Sequence, residues 1–155
     1  MSEFYENTNT MYYKVECPPT IKINNTKYHS SVSMKNFNIM DTIFSNTSIL
    51  FNTNDIHNII VESYNELIEL DFLVHTVNRG NNIREFYGFD TFTNHSCDPN
   101  SKIMQFPDNF YYVVAIKPIK IGDEITRDYM TFDSISYNTF ECKCNSTNCR
   151  KIIRR

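Results

Sequence analysis

The end of the chain carries three cysteines at close spacing, Cys142-Lys143-Cys144 and then Cys149, in a stretch otherwise made of Asn145, Ser146, Thr147 and Asn148. So polar a segment has little to bury, and it could hardly fold without something to hold it. Thiolate sulfur binds zinc well, and four thiolates close a tetrahedral structural site with no position left for water. The tail supplies three ligands, and Cys97, far upstream, is the obvious fourth. A cation shared by these residues would staple the tail onto the middle of the chain, which restricts the fold more than any other feature. The plain alternative is free thiols, with Cys97 packed as a small hydrophobe. Cys17 has no partner at a ligand spacing and is expected to be structural.

A chain of 155 residues, 41% hydrophobic and 14% aromatic, fits one folded domain and is too apolar for disorder. Its net charge of −3 does not favour the phosphate backbone of nucleic acid, and it suits a basic partner better. The longest apolar runs are too short to span a bilayer. The N-terminus, with Glu3 and Glu6 among polar residues, has neither the basic start nor the apolar stretch of a secretory signal. These features predict an intracellular protein in a reducing compartment, where Cys-x-Cys reads as metal ligation.

Residues 1–18 read as a loose lead-in. Ile21-Lys22-Ile23 and the surroundings of Tyr28 alternate as short strands about an Asn24-Asn25 turn, and further strand candidates lie between Ser33 and Phe44 and at Ile49-Leu50-Phe51. Ile56, Ile59, Ile60, Tyr64, Leu67 and Ile68 recur at three- and four-residue steps, which predicts a helix over about 53–71 with Thr53 or Asn54 as N-cap. Asp55, Glu62, Glu66 and Glu69 would then share another face, either a solvated acidic stripe or an attractor for a basic peptide. Tyr111 to Ile116 has the length and composition of a buried strand, and Ile125 to Tyr129 returns as a strand after the turn at Gly122.

Two further segments stand beside the cysteines. One is Asn94-His95-Ser96-Cys97-Asp98-Pro99-Asn100, preceded by Phe92; the other is Gly122-Asp123-Glu124-Ile125-Thr126-Arg127-Asp128-Tyr129. Taken alone, the first is a loop of turn formers and the second an Asp-Tyr at a strand end. In this order, with the cysteine tail after them, they resemble the SET-domain protein lysine methyltransferases that carry a C-terminal post-SET zinc module. The resemblance is most secure from about Phe89 to Ile153. It implies a mostly β fold with some α (α+β): several small sheets around a knot-like core, one inserted helix, and a zinc-bound tail. The SET domain would span 19–132, with the helical insertion at about 53–71, and the post-SET tail 138–155.

The resemblance also implies chemistry. S-adenosylmethionine would be the methyl donor, its adenine end held by Asn94 and the backbone of His95, with Tyr129 bordering the same site. Cys97, Cys142, Cys144 and Cys149 would hold one structural Zn2+. The substrate would be a lysine-containing protein or peptide, a histone tail among the candidates, with neither membrane nor direct nucleic-acid binding. Methyl transfer from a sulfonium to an amine needs no metal and no covalent enzyme intermediate. It needs a neutral amine held in line with the departing sulfur, about 3 Å from the methyl carbon. A free lysine has a pKa of about 10.4, so the site must desolvate the amine and let its proton escape. Tyr129 is the expected catalytic residue, orienting that amine at the end of an apolar channel that Phe132, Tyr137 and Phe140 could wall. Those aromatics would equally pack against the zinc module.

One departure bears on the cofactor. The family's early Gly-x-Gly has no counterpart in His29-Ser30-Ser31-Val32-Ser33-Met34. Serine can substitute where the backbone torsions are ordinary, whereas a positive φ would impair binding. In the tail, Asn145 stands where a glycine is common, and asparagine tolerates the left-handed region better than most residues. The runner-up reading is therefore a non-catalytic SET-derived module that keeps fold and zinc but binds a partner.

Overall fold

The computed structural model describes residues 2–5, 9–25, 29–52, 56–131 and 139–154. In its first half the strands are β1 (Ser2–Tyr5), β2 (Thr10–Tyr13), β3 (Ile21–Asn24), β4 (Ser30–Ser33), β5 (Thr42–Thr47), β6 (Ile49–Asn52), β7 (Asn58–Ser63) and β8 (Glu66–Asp71). A single-turn helix, α1 (Phe72–His75), follows, started by the Asp71 carboxylate, which accepts from the Val74 N–H. Then come β9 (Val77–Gly80), β10 (Ile83–Phe86), β11 (Asn94–His95), β12 (Ser101–Gln105), β13 (Phe110–Ala115), β14 (Thr126–Arg127), β15 (Thr139–Glu141) and β16 (Ile152–Arg154). Short 3₁₀ turns cover Gly88–Phe92 and Tyr129–Thr131. No helix among the described residues is long and apolar enough to cross a membrane.

The strands form small sheets: β1-β2-β7-β8, β6-β10-β9, β12-β13-β5, and the pairs β3-β4, β11-β14 and β15-β16. The mostly β fold of several small sheets is thus as expected. One core ties them together, with Phe72, Phe86, Phe89, Phe92, Tyr111 and Ile125 fully or almost fully buried. Cys97, Cys142 and Ile153, with Phe140 against them, make a second, smaller cluster under the tail.

The helix expected over about 53–71 is replaced by a hairpin. β7 and β8 pair antiparallel from Asn58↔Asp71 to Ser63↔Glu66. The two linking residues, Tyr64 (φ 48°) and Asn65 (φ 64°), both lie in the left-handed region, as a type I′ turn requires. Burial runs with period two, taking in Ile59, Val61 and Ser63, while Leu67, counted on the helical face, is 67% exposed. Ile59 and Ile68 are buried under either period, whereas Ile60 and Leu67 fit the helical face alone. The β-branched run Ile59-Ile60-Val61 and the turn-forming Asn65 decide for the strand. The acidic stripe dissolves with the helix: Glu62 and Glu69 lie on the outer face, and Glu66 closes the turn opposite Ser63. Thr53, Asn54 and Asp55 lie outside the described residues.

The lead-in expected over residues 1–18 is also corrected. β2 runs parallel to β7, burying Met11 and Tyr13, and β1 pairs with β2 outside it. The alternation at Thr10–Tyr13 is only four residues long, and the partner that stabilises it lies far along the chain.

Candidate functional site

Three separate segments converge on one place. β11 runs parallel to β14, with Asn94 opposite Thr126 and His95 opposite Arg127. Polar side chains lock the pair. Asn100 accepts from the Thr126 N–H at 2.9 Å and donates to the Glu124 carbonyl at 2.9 Å, while the Ser101 hydroxyl donates to the Thr126 carbonyl at 2.8 Å. The third segment is β4, held against the turn before β14 by Ile125 N–H to Ser31 O at 2.8 Å and Ser33 N–H to Asp123 O at 2.9 Å. Asn94 joins all three, its side-chain amide donating to His29 O at 2.9 Å and to Glu124 Oε1 at 2.8 Å.

None of the residues from His29 to Met34 has a positive φ. The backbone there is an ordinary strand, which serine adopts without strain, so the missing Gly-x-Gly costs no left-handed position within this stretch. In the tail Asn145 does take the left-handed conformation, at φ 58°.

Tyr129 is fixed at several points. Its hydroxyl donates to the Thr93 carbonyl at 2.8 Å and its backbone N–H donates to His95 Nδ1 at 3.1 Å. Its ring meets His95 edge-on at 5.3 Å between centroids and Phe140 at 6.0 Å. The Arg127 guanidinium carbon lies 4.7 Å from the ring centre, and Arg127 Nε is paired with Asp90 Oδ2 at 2.9 Å. Because His95 Nδ1 accepts, the proton of the neutral ring belongs on Nε2, which faces Cys97 Sγ at 3.4 Å. Next door, Asp128 accepts from Arg150 at 2.6 Å and from the Met130 N–H at 3.0 Å. Partial burial pushes the Asp128 carboxyl up, but the Arg150 guanidinium and the Met130 amide outweigh it and leave it below its ordinary value.

The sulfurs of Cys97, Cys142, Cys144 and Cys149 all lie within 4.8 Å of one another, and those of Cys97 and Cys142 are 3.7 Å apart. A tetrahedral zinc with Zn–S bonds of about 2.3 Å places its sulfurs about 3.8 Å apart, so the cage is the right size. Burial pushes the Cys142 thiol up to about 12, while the Ser146 hydroxyl, 3.1 Å from Cys144 Sγ, leads the contacts that hold Cys144 down at about 5. A shared divalent cation is what would let all four be thiolates together. The Arg150 N–H points at Cys97 Sγ at 3.3 Å, the kind of hydrogen bond that steadies a thiolate ligand.

Asn94, His95, Tyr129 and the four cysteines expected from the sequence fall in this region, whereas two of the expected channel walls, Phe132 and Tyr137, lie outside the described residues. Phe140 packs on both sides at once, against the cysteine cluster and against the rings of His95 and Tyr129. Sequence reasoning missed Asp90, Arg127 and Arg150. The signals were present: a carboxylate inside the aromatic run Phe89-Asp90-Thr91-Phe92, and an arginine in a strand that leads to a half-buried tyrosine.

Comparison with known proteins gives a consistent family. The SET domain family profile matches residues 4–130. The histone-lysine N-methyltransferase Su(var)3-9 of Drosophila melanogaster is 28% identical over 107 residues, covering 58% of this chain and 15% of that protein. The histone-lysine N-methyltransferase SET9 of Phaeosphaeria nodorum is 35% identical over 86 residues, covering 56% of this chain and 13% of that protein. The chain therefore spans less than a sixth of the length of either relative. A solved Plasmodium falciparum structure named for a histone methyltransferase superposes with a TM-score of 0.49 at 19% identity, over 71% of this chain and 92% of that one.

Proposed function

This chain belongs to the SET domain family, and from that premise we propose that it is an S-adenosylmethionine-dependent protein-lysine N-methyltransferase acting on a histone or other protein. The observation that carries the proposal is the meeting of Asn94, His95 and Tyr129 beside the strand-like serine segment. Curated relatives named as histone-lysine N-methyltransferases support it.

The residues fit the cofactor. His29 Nδ1 and Thr93 Oγ1 are buried without a hydrogen-bond partner among the described residues, and they flank Asn94 in space and in sequence respectively. Orphaned polar atoms of this kind need a partner, and a polar ligand can supply one. Asn94 and the His95 backbone would hold the adenine end, with Tyr129 bordering the same site. When bound, the sulfonium supplies an electrophilic methyl carbon. This chain's own residues do the rest. The Tyr129 hydroxyl spends its proton on Thr93 O, which leaves its lone pairs to accept from an amine N–H and aim the nitrogen. The half-buried rings of Tyr129 and Phe140, backed by the buried His95 ring, offer an apolar wall, which favours the neutral amine over the ammonium. Cys97, Cys142, Cys144 and Cys149 would hold one structural zinc that fastens the tail against this wall.

Calorimetric titration of S-adenosylmethionine and S-adenosylhomocysteine into zinc-loaded protein tests the first half. One-to-one binding is expected; no binding to either, with fold and zinc intact, would leave the non-catalytic module instead. Transfer of labelled methyl groups to lysine peptides tests the second half. Tyr129→Phe should lose most of it while keeping the fold and the metal, and unchanged transfer would remove Tyr129 from its role.

A further inference from the structure

Asp90 is fully buried, and its Oδ2 accepts from Arg127 Nε at 2.9 Å. Its other oxygen, Oδ1, finds no hydrogen-bond partner among the described residues. Arg127 is itself only 8% exposed. An ion pair at this depth is an expensive way to fill space. Desolvating two charges is costly, and an apolar pair of similar volume commonly serves stability as well or better. The pair therefore calls for a role that an apolar pair could not fill.

Its geometry supplies one. Arg127 is the last residue of β14, two positions before Tyr129, and its guanidinium carbon sits 4.7 Å from the Tyr129 ring centre. That places a cation against the π-system, an attraction that grows with desolvation. The guanidinium is planar and rigid, so the contact has a defined geometry. Asp90 comes from the 3₁₀ turn just before Asn94, so the carboxylate that sets Arg127 and the segment that carries Asn94 are one continuous piece of chain.

We infer that Asp90 and Arg127 are positioning residues for Tyr129: Asp90 fixes the guanidinium, and the guanidinium fixes the plane of the phenol. This rests on the reading of Tyr129 as the catalytic tyrosine. Thr93 O anchors the hydroxyl, His95 Nδ1 anchors the backbone, the rings of His95 and Phe140 press edge-on, and the Arg127 guanidinium joins them in opposing rotation of the ring about its own axis. That rotation leaves Oη in place but swings its O–H and lone pairs out of line with Thr93 O and with an incoming amine, and small misorientations at a reacting centre are costly in rate.

The test uses the full chain labelled with 3-fluorotyrosine, with the Tyr129 resonance assigned by its loss in Tyr129→Phe. The variants are Arg127→Lys, which keeps the charge and loses the planar fork, and Asp90→Asn. In both, the fluorine signal at position 129 is expected to move or split as the ring gains a second orientation. In Arg127→Lys, kcat should fall about tenfold while the peptide KM and the S-adenosylmethionine dissociation constant stay within about twofold. A pair that only balances charge predicts that Arg127→Lys matches wild type in both readouts, and that result would overturn the inference. Should a single variant strand a charge and fail to fold, the double variant Asp90→Asn/Arg127→Gln removes both charges and is read the same way. The fluorine readout needs no turnover. An inactive wild type would sink the methyltransferase reading and leave this proposal to be decided by the spectrum.

Discussion

Tyr129 donates its backbone N–H to Nδ1 of His95 across 3.1 Å. The far side of the same imidazole, Nε2, faces Cys97 Sγ at 3.4 Å. One ring thus joins the proposed catalytic tyrosine to a proposed zinc ligand. A second tie runs outside it, from Arg150 beside Cys149 to Asp128 beside Tyr129. The tail is consequently part of the tyrosine's mounting and not an appendage.

Metal removal should therefore be felt at Tyr129. About one zinc per chain is expected on purification without chelator, as for a single four-thiolate site. Chelation, or Cys142→Ser, should expose 139–154 to protease and speed amide hydrogen exchange at Tyr129 and at Ser96, whose N–H donates to Arg127 O at 3.0 Å. Protein that carries no zinc, with the tail still protected, would refute the stapled tail.

Arg150→Ala should make a small, pH-dependent difference. The folded Asp128 carboxyl titrates below its ordinary value of 3.8, so its stabilisation is present above that value and is lost as pH falls through the folded value. Arg150 is 42% exposed on its side chain, so solvent screening holds the expected loss at neutral pH to about 0.5–1 kcal/mol. Urea midpoints for variant and wild type should differ at pH 7 and converge well below pH 4 (about the carboxylate range). A constant difference down to that pH would mean that Asp128 is not the partner that matters.

Gly88→Ala should destabilise the fold. Gly88 has φ +59°, and an added Cβ would lie 2.5 Å from Tyr13 Oη and 3.1 Å from Asn46 Nδ2. Strained torsion and the clash together are expected to cost about 1–3 kcal/mol in urea unfolding. Tyr13→Phe removes the nearest atom, so the double variant should lose less than the sum of the two single losses.

Asn65→Ala separates the hairpin from a helix at the same residues. In a helix the change would be stabilising, because alanine is the better helix former. At φ 64° in the β7–β8 turn it should instead cost about 1 kcal/mol, measured as a lower thermal midpoint with unchanged β content by circular dichroism. Higher stability in the variant would count against the turn.

What the sequence determined by itself was local chemistry at close spacing. Cys142, Cys144 and Cys149 read as ligands because thiolates so near one another have few other uses. Tyr111 to Ile116 read as a strand because its apolar length leaves little choice, and β13 spans Phe110–Ala115. The segments around Asn94 and Tyr129 were readable through resemblance, since their residue order is informative even when their contacts are not. Tertiary structure decided the rest, because the deciding energies lie between residues distant in the chain. Ile59, Ile60, Leu67 and Ile68 all fit a helical face while only Ile59 and Ile68 fit the buried face of a strand pair, and pairing with β2, nearly fifty residues upstream (Met11↔Ile59), settled it. Asp90 and Arg127, 37 residues apart, are unremarkable charges until β11 and β14 lie side by side. Burial then turns them into an ion pair under the tyrosine, because a charge removed from water must find its partner in space, whatever the distance along the chain.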